Sequence, residues 1–130
     1  MTARELAARA KKLSAICLAL PEAEEKRHND HAGYLVRGKT FAWYLANHHG
    51  DGIWALSCKV LPGDNHALTS SYPARFYLPA YMAHRGWVAL RLDLPDVDWA
   101  EVAELVQGSY RLTAPKTLVK RLPPEPVEAD

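Results

Sequence analysis

Disulfide chemistry is almost absent from this sequence: Cys17 and Cys58 are the only cysteines in 130 residues. A small secreted domain would use cysteine more densely, so two unpaired, buried thiols in a reducing compartment are expected. No run approaches the ~18 uninterrupted apolar residues that a membrane-spanning helix needs, which argues against a membrane location. The first helix-like segment carries Arg4, Arg9, Lys11 and Lys12 along its length. It therefore lacks the charged head and apolar middle of a signal peptide, and the cytoplasm is the expected compartment. There is no Gly-x-Ser-x-Gly nucleophile elbow. Gly38-Lys39-Thr40 resembles the end of a phosphate-binding loop, but the preceding glycines and the following helix are missing. These absences remove the commonest catalytic frameworks, and no enzymatic activity is expected.

What is present suffices for one self-standing domain, expected over residues 1–122, with a frayed Pro/acidic tail over 123–130. Apolar residues make up 48% and charged residues 24% of the chain, an ordinary globular balance. The formal net charge of +1 hides a segregation. Arg37, Lys39, Lys59, Arg75, Arg85 and Arg91 face only Asp51 and Asp64 between residues 31 and 92. Five acids and no base follow over 93–104, and then come Arg111, Lys116, Lys120 and Arg121. Such separation can give a near-neutral molecule one attractive face.

Hydrophobic spacing predicts helices near 3–20 and 98–111. Leu6, Ala10, Leu13, Cys17 and Leu20 recur at helical intervals, and Pro21 ends the run. Thr2 with Glu5, and Asp98 with Glu101, have the capping-box spacing. Strands are predicted near 33–37, 40–47, 53–60 and 86–92, with Gly38-Lys39 as the first hairpin turn and 48–52 as the second. Glu22, Glu24 and Glu25 read as an acidic connection. Asp64 is a candidate N-cap for a short helix, residues 72–81 as a long ordered loop, and Pro115 as the start of a last helix. Helices on one face of an antiparallel sheet are the economical arrangement. The expected fold class is thus α+β, an antiparallel sheet of four or more strands packed by N- and C-terminal helices.

All six histidines fall between residues 28 and 84. His28-Asn29-Asp30-His31 and His48-His49-Gly50-Asp51 each combine imidazole and carboxylate, yet neither has a zinc spacing and no cysteine pair stands nearby. The second turn is expected to place His48 and His49 on different faces, so surface histidines without metal are the plainer account. Cys17 on a buried stripe is inert, and Cys58 beside Lys59 is better read as core. Acids at 22–25 and 93–98 read as solvated loop charges.

Cations interleaved with aromatics carry more information. Lys39, Phe41, Trp43 and Tyr44 share one hairpin, while Arg75, Phe76, Tyr77, Tyr81, His84, Arg85 and Trp87 stand in and after the long loop. Cations neutralise phosphates and aromatic rings stack on bases. The same aromatics would equally form the core of a small sheet, which is the expectation for Phe41, Trp43 and Trp87.

These residues also carry a resemblance. Val36-Arg37-Gly38-Lys39-Thr40-Phe41-Ala42-Trp43, Leu56-Ser57-Cys58-Lys59, the block from Tyr77 to Val88 and Gly108-Ser109-Tyr110-Arg111 are similar, in order, to the MmcQ/YjbR family over roughly residues 10–115. The resemblance implies a frataxin-like (CyaY-like) α+β fold, described in that family as a double-wing arrangement, and a DNA-binding role assigned by structural analogy. It supplies no catalytic or binding residues to carry over. Frataxin-type iron binding needs an acidic first helix, and here that helix holds four cations and one acid, Glu5.

The first functional expectation is DNA bound through basic hairpin tips and loops. The alternative is a small anionic or aromatic ligand held in an aromatic and basic groove between the sheet and loop 72–86. Candidate contacts are Lys39, Lys59, Arg75, Tyr81, Arg85, Trp87, Arg111, Lys116 and Lys120. No cofactor, no metal and a monomeric state are expected.

Overall fold

The structure, a computed structural model, describes residues 1–123; the expected tail lies outside the described residues beyond Pro123. Helix α1 (Ala3–Leu18) begins where the capping spacing predicts, with Thr2 Oγ1 accepting a hydrogen bond from the Glu5 amide. A six-stranded, wholly antiparallel sheet follows, built from β1 (Glu24–His28), β2 (His31–Val36), β3 (Lys39–Ala46), β4 (Trp54–Lys59), β5 (Phe76–Tyr77) and β6 (Trp87–Arg91). Its spatial order is β1-β2-β3-β4-β6-β5. Helix α2 (Asp64–Ser71) packs against β5 and β6. Helices α3 (Trp99–Thr113) and α4 (Lys116–Val119) close the chain.

Strand alternation decides which face is covered. Ala42 lies opposite Cys58, which lies opposite Val88; Tyr44, Leu56 and Leu90 make the next row. These side chains join Leu13 and Cys17 of α1 and Val102, Val106 and Tyr110 of α3 in one buried core. Tyr110 packs edge-on against Phe41 with centroids 5.3 Å apart, and its hydroxyl donates to the Pro21 carbonyl at 2.7 Å. Both cysteines are buried and unpaired. Burial pushes the Cys58 thiol up to about 12 and raises Cys17 further, so neither is a ready nucleophile.

A β-bulge interrupts this regularity. Tyr34 faces Ala42 but Leu35 faces Thr40, which leaves Phe41 as the extra residue on β3. Phe41 and Ala42 are accordingly both buried in the core. The fully buried Ser109 of α3 accepts from the Lys59 amide at 2.9 Å and donates to the Phe41 carbonyl at 2.6 Å. One helix hydroxyl thus satisfies two strand backbone groups.

Several local expectations are corrected. Glu24–His28 is a strand, not a connection; its polar sequence gave no period because it is an exposed edge held by backbone pairing to β2. A second strand, β5, lies inside the segment expected to be loop. The first hairpin turn is Arg37-Gly38, both with positive φ (49° and 79°), the signature of a type I′ turn. Lys39 is therefore the first residue of β3, opposite Val36. Gly63 caps α2 and Asp64 is its first residue. The Glu101 side chain does not complete a capping box; it binds Arg75, while Asp98 alone caps α3.

Candidate functional site: a histidine- and aromatic-lined groove

The face of the sheet away from α1 and α3 holds the other half of each strand. Lys26, Gly33, Trp43, Ser57, Ala89 and Tyr77 form one cross-strand row. Trp43 was expected in the core but lies here, half-buried. Gly33 makes room for it: a Cβ at that position would come within 2.9 Å of Trp43 Cζ3. The indole therefore rests on β2 backbone, where any other residue would lift it.

Above this row opens a groove of about 820 Å³. Trp43, Leu45, Ser57 and Tyr77 contribute from the strands, and Leu78 to Met82 from the segment after β5. His28 and His31 contribute from the β1–β2 turn, and His48, His49, Asp51 and Ile53 from the β3–β4 turn. Loop 78–82 reaches the β3–β4 turn through Tyr81 and His49, whose rings meet edge-on with centroids 6.2 Å apart.

The histidines are organised, contrary to the expectation that His48 and His49 would point to different faces. Their rings lie 3.9 Å apart between centroids, and His48 meets His31 edge-on at 5.2 Å. His31 is fixed because its Nδ1 accepts the Ala46 amide at 3.0 Å, which leaves the ring proton on Nε2. Asn47 and His49 adopt left-handed backbone (φ 52° and 56°), and Asn47 Oδ1 accepts the Gly52 amide to hold the turn. Tyr81 is also left-handed (φ 66°) and is 80% exposed. A tyrosine in this conformation is uncommon and costs backbone energy. Among the described residues, no group of three or more His, Cys, Asp or Glu side chains is placed to hold a metal ion.

Ser57 adds the polar element of the floor. It is 2% exposed, opens on the groove, and its hydroxyl has no protein hydrogen-bond partner among the described residues. Burial pushes the Tyr77 phenol up to about 12, so the tyrosine is a neutral wall with a hydroxyl to donate.

Desolvation, followed by the neighbouring His49 and His31, lowers the pKa of His48, against a smaller opposing pull from Asp51. An unfolded His48 therefore takes up its proton at a higher pH than the folded one. Its contribution to stability is complete above about pH 6.5 and is lost as pH falls from there through the lowered folded value. Urea midpoints measured between about pH 7 and about pH 5 should fall in the wild type and fall less in His48→Gln. Parallel slopes would mean that burial does not set this group's titration.

The candidate cations do not converge on this groove. Arg75 makes a two-point pair with Glu101 (3.1 and 3.0 Å) and stacks over Tyr72 at 4.0 Å, so its charge is compensated. Trp87 is only 6% exposed and is not available as a surface contact. Arg111 donates to the Pro123 carbonyl at 2.6 Å. Lys116 and Lys120 are exposed at α4. Lys59 and Arg85 line a separate cleft with Ala83, His84 and Gly86, while Lys39 stands exposed at the start of β3. Of the nine candidate contacts, only Tyr81 borders the aromatic groove. Sequence reading missed the groove's histidines and Trp43. The available signal was the meander itself: alternate turns, at 29–30 and 47–53, fall at the same end of the sheet.

Comparison with known proteins agrees with this architecture. The YjbR family model matches residues 18–112, well over half of the chain. The chain belongs to the YjbR family. A crystal structure of Deinococcus radiodurans protein DR2400, which carries the DUF419 domain, is similar with a TM-score of 0.63 and 25% sequence identity. The likeness covers 79% of this chain and 76% of that one. No curated protein matches the sequence. Among the described residues, no helix is long and apolar enough to cross a membrane.

Proposed function

We propose that this YjbR-family protein is a binding protein, not an enzyme, and that the groove on its open sheet face takes a small, planar, largely apolar ligand. The observation that carries this reading is the groove's construction: an aromatic cavity of about 820 Å³ whose floor holds one serine hydroxyl without a partner among the described residues. Ligand sites of this size are mostly apolar, with few polar groups to set orientation. Trp43 and Tyr77 offer ring faces, Ser57 and the His31 Nε2–H offer hydrogen bonds, and Tyr81 overhangs the entrance. The buried free thiols support a reducing compartment, the cytoplasm, as the place of work.

Melting the full chain with excess indole tests the reading, because a ligand that prefers the native state raises Tm by mass action. The wild type should gain several degrees. Tyr81→Ala, at a site too exposed to matter for folding, should melt normally alone and gain much less. An equal gain in both proteins would place the indole elsewhere.

A second reading, binding of duplex DNA, has one observation in its favour. Antiparallel register puts Lys39, Lys59 and Arg85 at the same end of the sheet, and no carboxylate pairs with any of them among the described residues. With about three phosphate contacts, the logarithm of affinity should fall with that of salt at a slope of roughly −3.

A further inference from the structure

We propose that the cleft between the end of β4, α2 and the Ala83–Arg85 turn is a separate binding site for a phosphate-type oxyanion, of the kind ending a phosphorylated small molecule. The cleft has a volume of about 550 Å³ and shares no lining residue with the aromatic groove. Lys59 enters it from β4, His66 from α2, and His84 and Arg85 from the turn; among the described residues no carboxylate lines it.

The lack of a partner sets the two cleft cations apart from three arginines of the sheet and its edges. Arg37, Arg75 and Arg91 each grip a carboxylate at two points, with Glu22, Glu101 and Asp93 respectively. Arg9 is held by the carbonyls of Leu92 and Leu94. Lys59 and Arg85 have no side-chain partner among the described residues, and both line one concavity. Two unpaired cations at one concavity leave an attractive potential that an oxyanion would complete with charge-assisted hydrogen bonds.

The walls are fixed in advance. Buried Asn65 donates through Nδ2 to the carbonyls of Ala83 (2.9 Å) and Trp87 (3.2 Å), while its Oδ1 accepts the His66 amide. The Val60 amide donates to the Gly86 carbonyl at 3.0 Å. Gly86 turns the chain with φ +86°, and even a Cβ there would sit 3.4 Å from the Val60 carbonyl. Ser109 holds the Lys59 amide from behind. Each cationic side chain therefore starts from backbone already tied in place, which reduces the ordering cost of binding. A concavity lined by the end of β4, α2 and the Ala83–Arg85 turn suits a terminal phosphate better than the continuous diester backbone of a nucleic acid.

The site can be tested without reference to the aromatic groove. Inorganic phosphate, pyrophosphate and, at matched ionic strength, chloride are titrated into the full chain while backbone amide NMR shifts are followed. Saturable shifts at Val60, His66 and Gly86 are expected with phosphate and pyrophosphate, with the amides of Trp43 and Tyr81 unmoved. Arg85→Gln, on an exposed turn, and Lys59→Gln should each weaken binding about tenfold; Tyr81→Ala should leave it unchanged. Shifts that chloride reproduces, or an affinity unaltered by Arg85→Gln, would overturn the site. Shifts produced by duplex DNA but by neither phosphate nor pyrophosphate would also overturn it and assign the cations to nucleic acid.

Discussion

Ser109→Ala is expected to cost about 3 kcal/mol of folding stability, a large loss for removal of one oxygen atom. The hydroxyl is fully buried and serves two backbone groups, the Lys59 amide and the Phe41 carbonyl, at the β-bulge. Its loss leaves both without their partner in a low-dielectric interior, and each such group costs roughly 1–3 kcal/mol. Because only contacts change, the urea midpoint should fall with an unchanged slope. A loss below about 0.5 kcal/mol, the range of ordinary surface substitutions, would mean that the strand ladder holds the bulge without α3.

Trp43→Ala should produce the largest loss of ligand binding. A stacked aromatic ring contributes roughly 1–3 kcal/mol to holding a planar partner, so affinity for indole should drop about tenfold or more. The indole of Trp43 is only half-buried and lies outside the main core, so the fold should survive its removal. Gly33→Ala provides an independent check because it keeps the ring but displaces it. The new Cβ would stand 2.9 Å from Cζ3 and 3.1 Å from Cη2 of Trp43, closer than carbon atoms tolerate. Calorimetric titration with indole should therefore find both variants weakened. Wild-type affinity in Gly33→Ala would show that the ring's seat on β2 has no part in binding.

The elements that bury a periodic apolar stripe could be read from sequence. The stripe of α1, the strands around Tyr34, Ala42, Leu56 and Val88, and the Asp98 cap of α3 all carry local signals that their tertiary partners reinforce. β1 could not be read in this way. Glu24-Glu25-Lys26-Arg27-His28 buries almost nothing, and its conformation is dictated by β2 across the turn. The site was less legible than the fold because its residues come from turns far apart in the chain. His31 and His48 meet because alternate turns of a meander share one end of the sheet, a relation that no local spacing encodes. Grouping cations and aromatics into one groove failed for a related reason. They border two concavities with no lining residue in common, Trp43, Tyr77 and Tyr81 at one and Lys59 and Arg85 at the other. Arg75 was indistinguishable from the free cations until Glu101, on a different element, was found beside it.

On the proposed reading a small planar molecule binds the open face of the sheet, not its basic end. The most direct measurement is a two-dimensional NMR titration of the full chain with indole, following backbone amides and the Trp43 Nε1–H. Saturable shifts are expected at Trp43, Ser57, Tyr77, Tyr81 and the His48–Asp51 turn, with Lys39, Val60 and Gly86 unmoved. Shifts confined to the Lys39 and Gly86 end, or no saturable shift at Trp43 and Ser57, would contradict it.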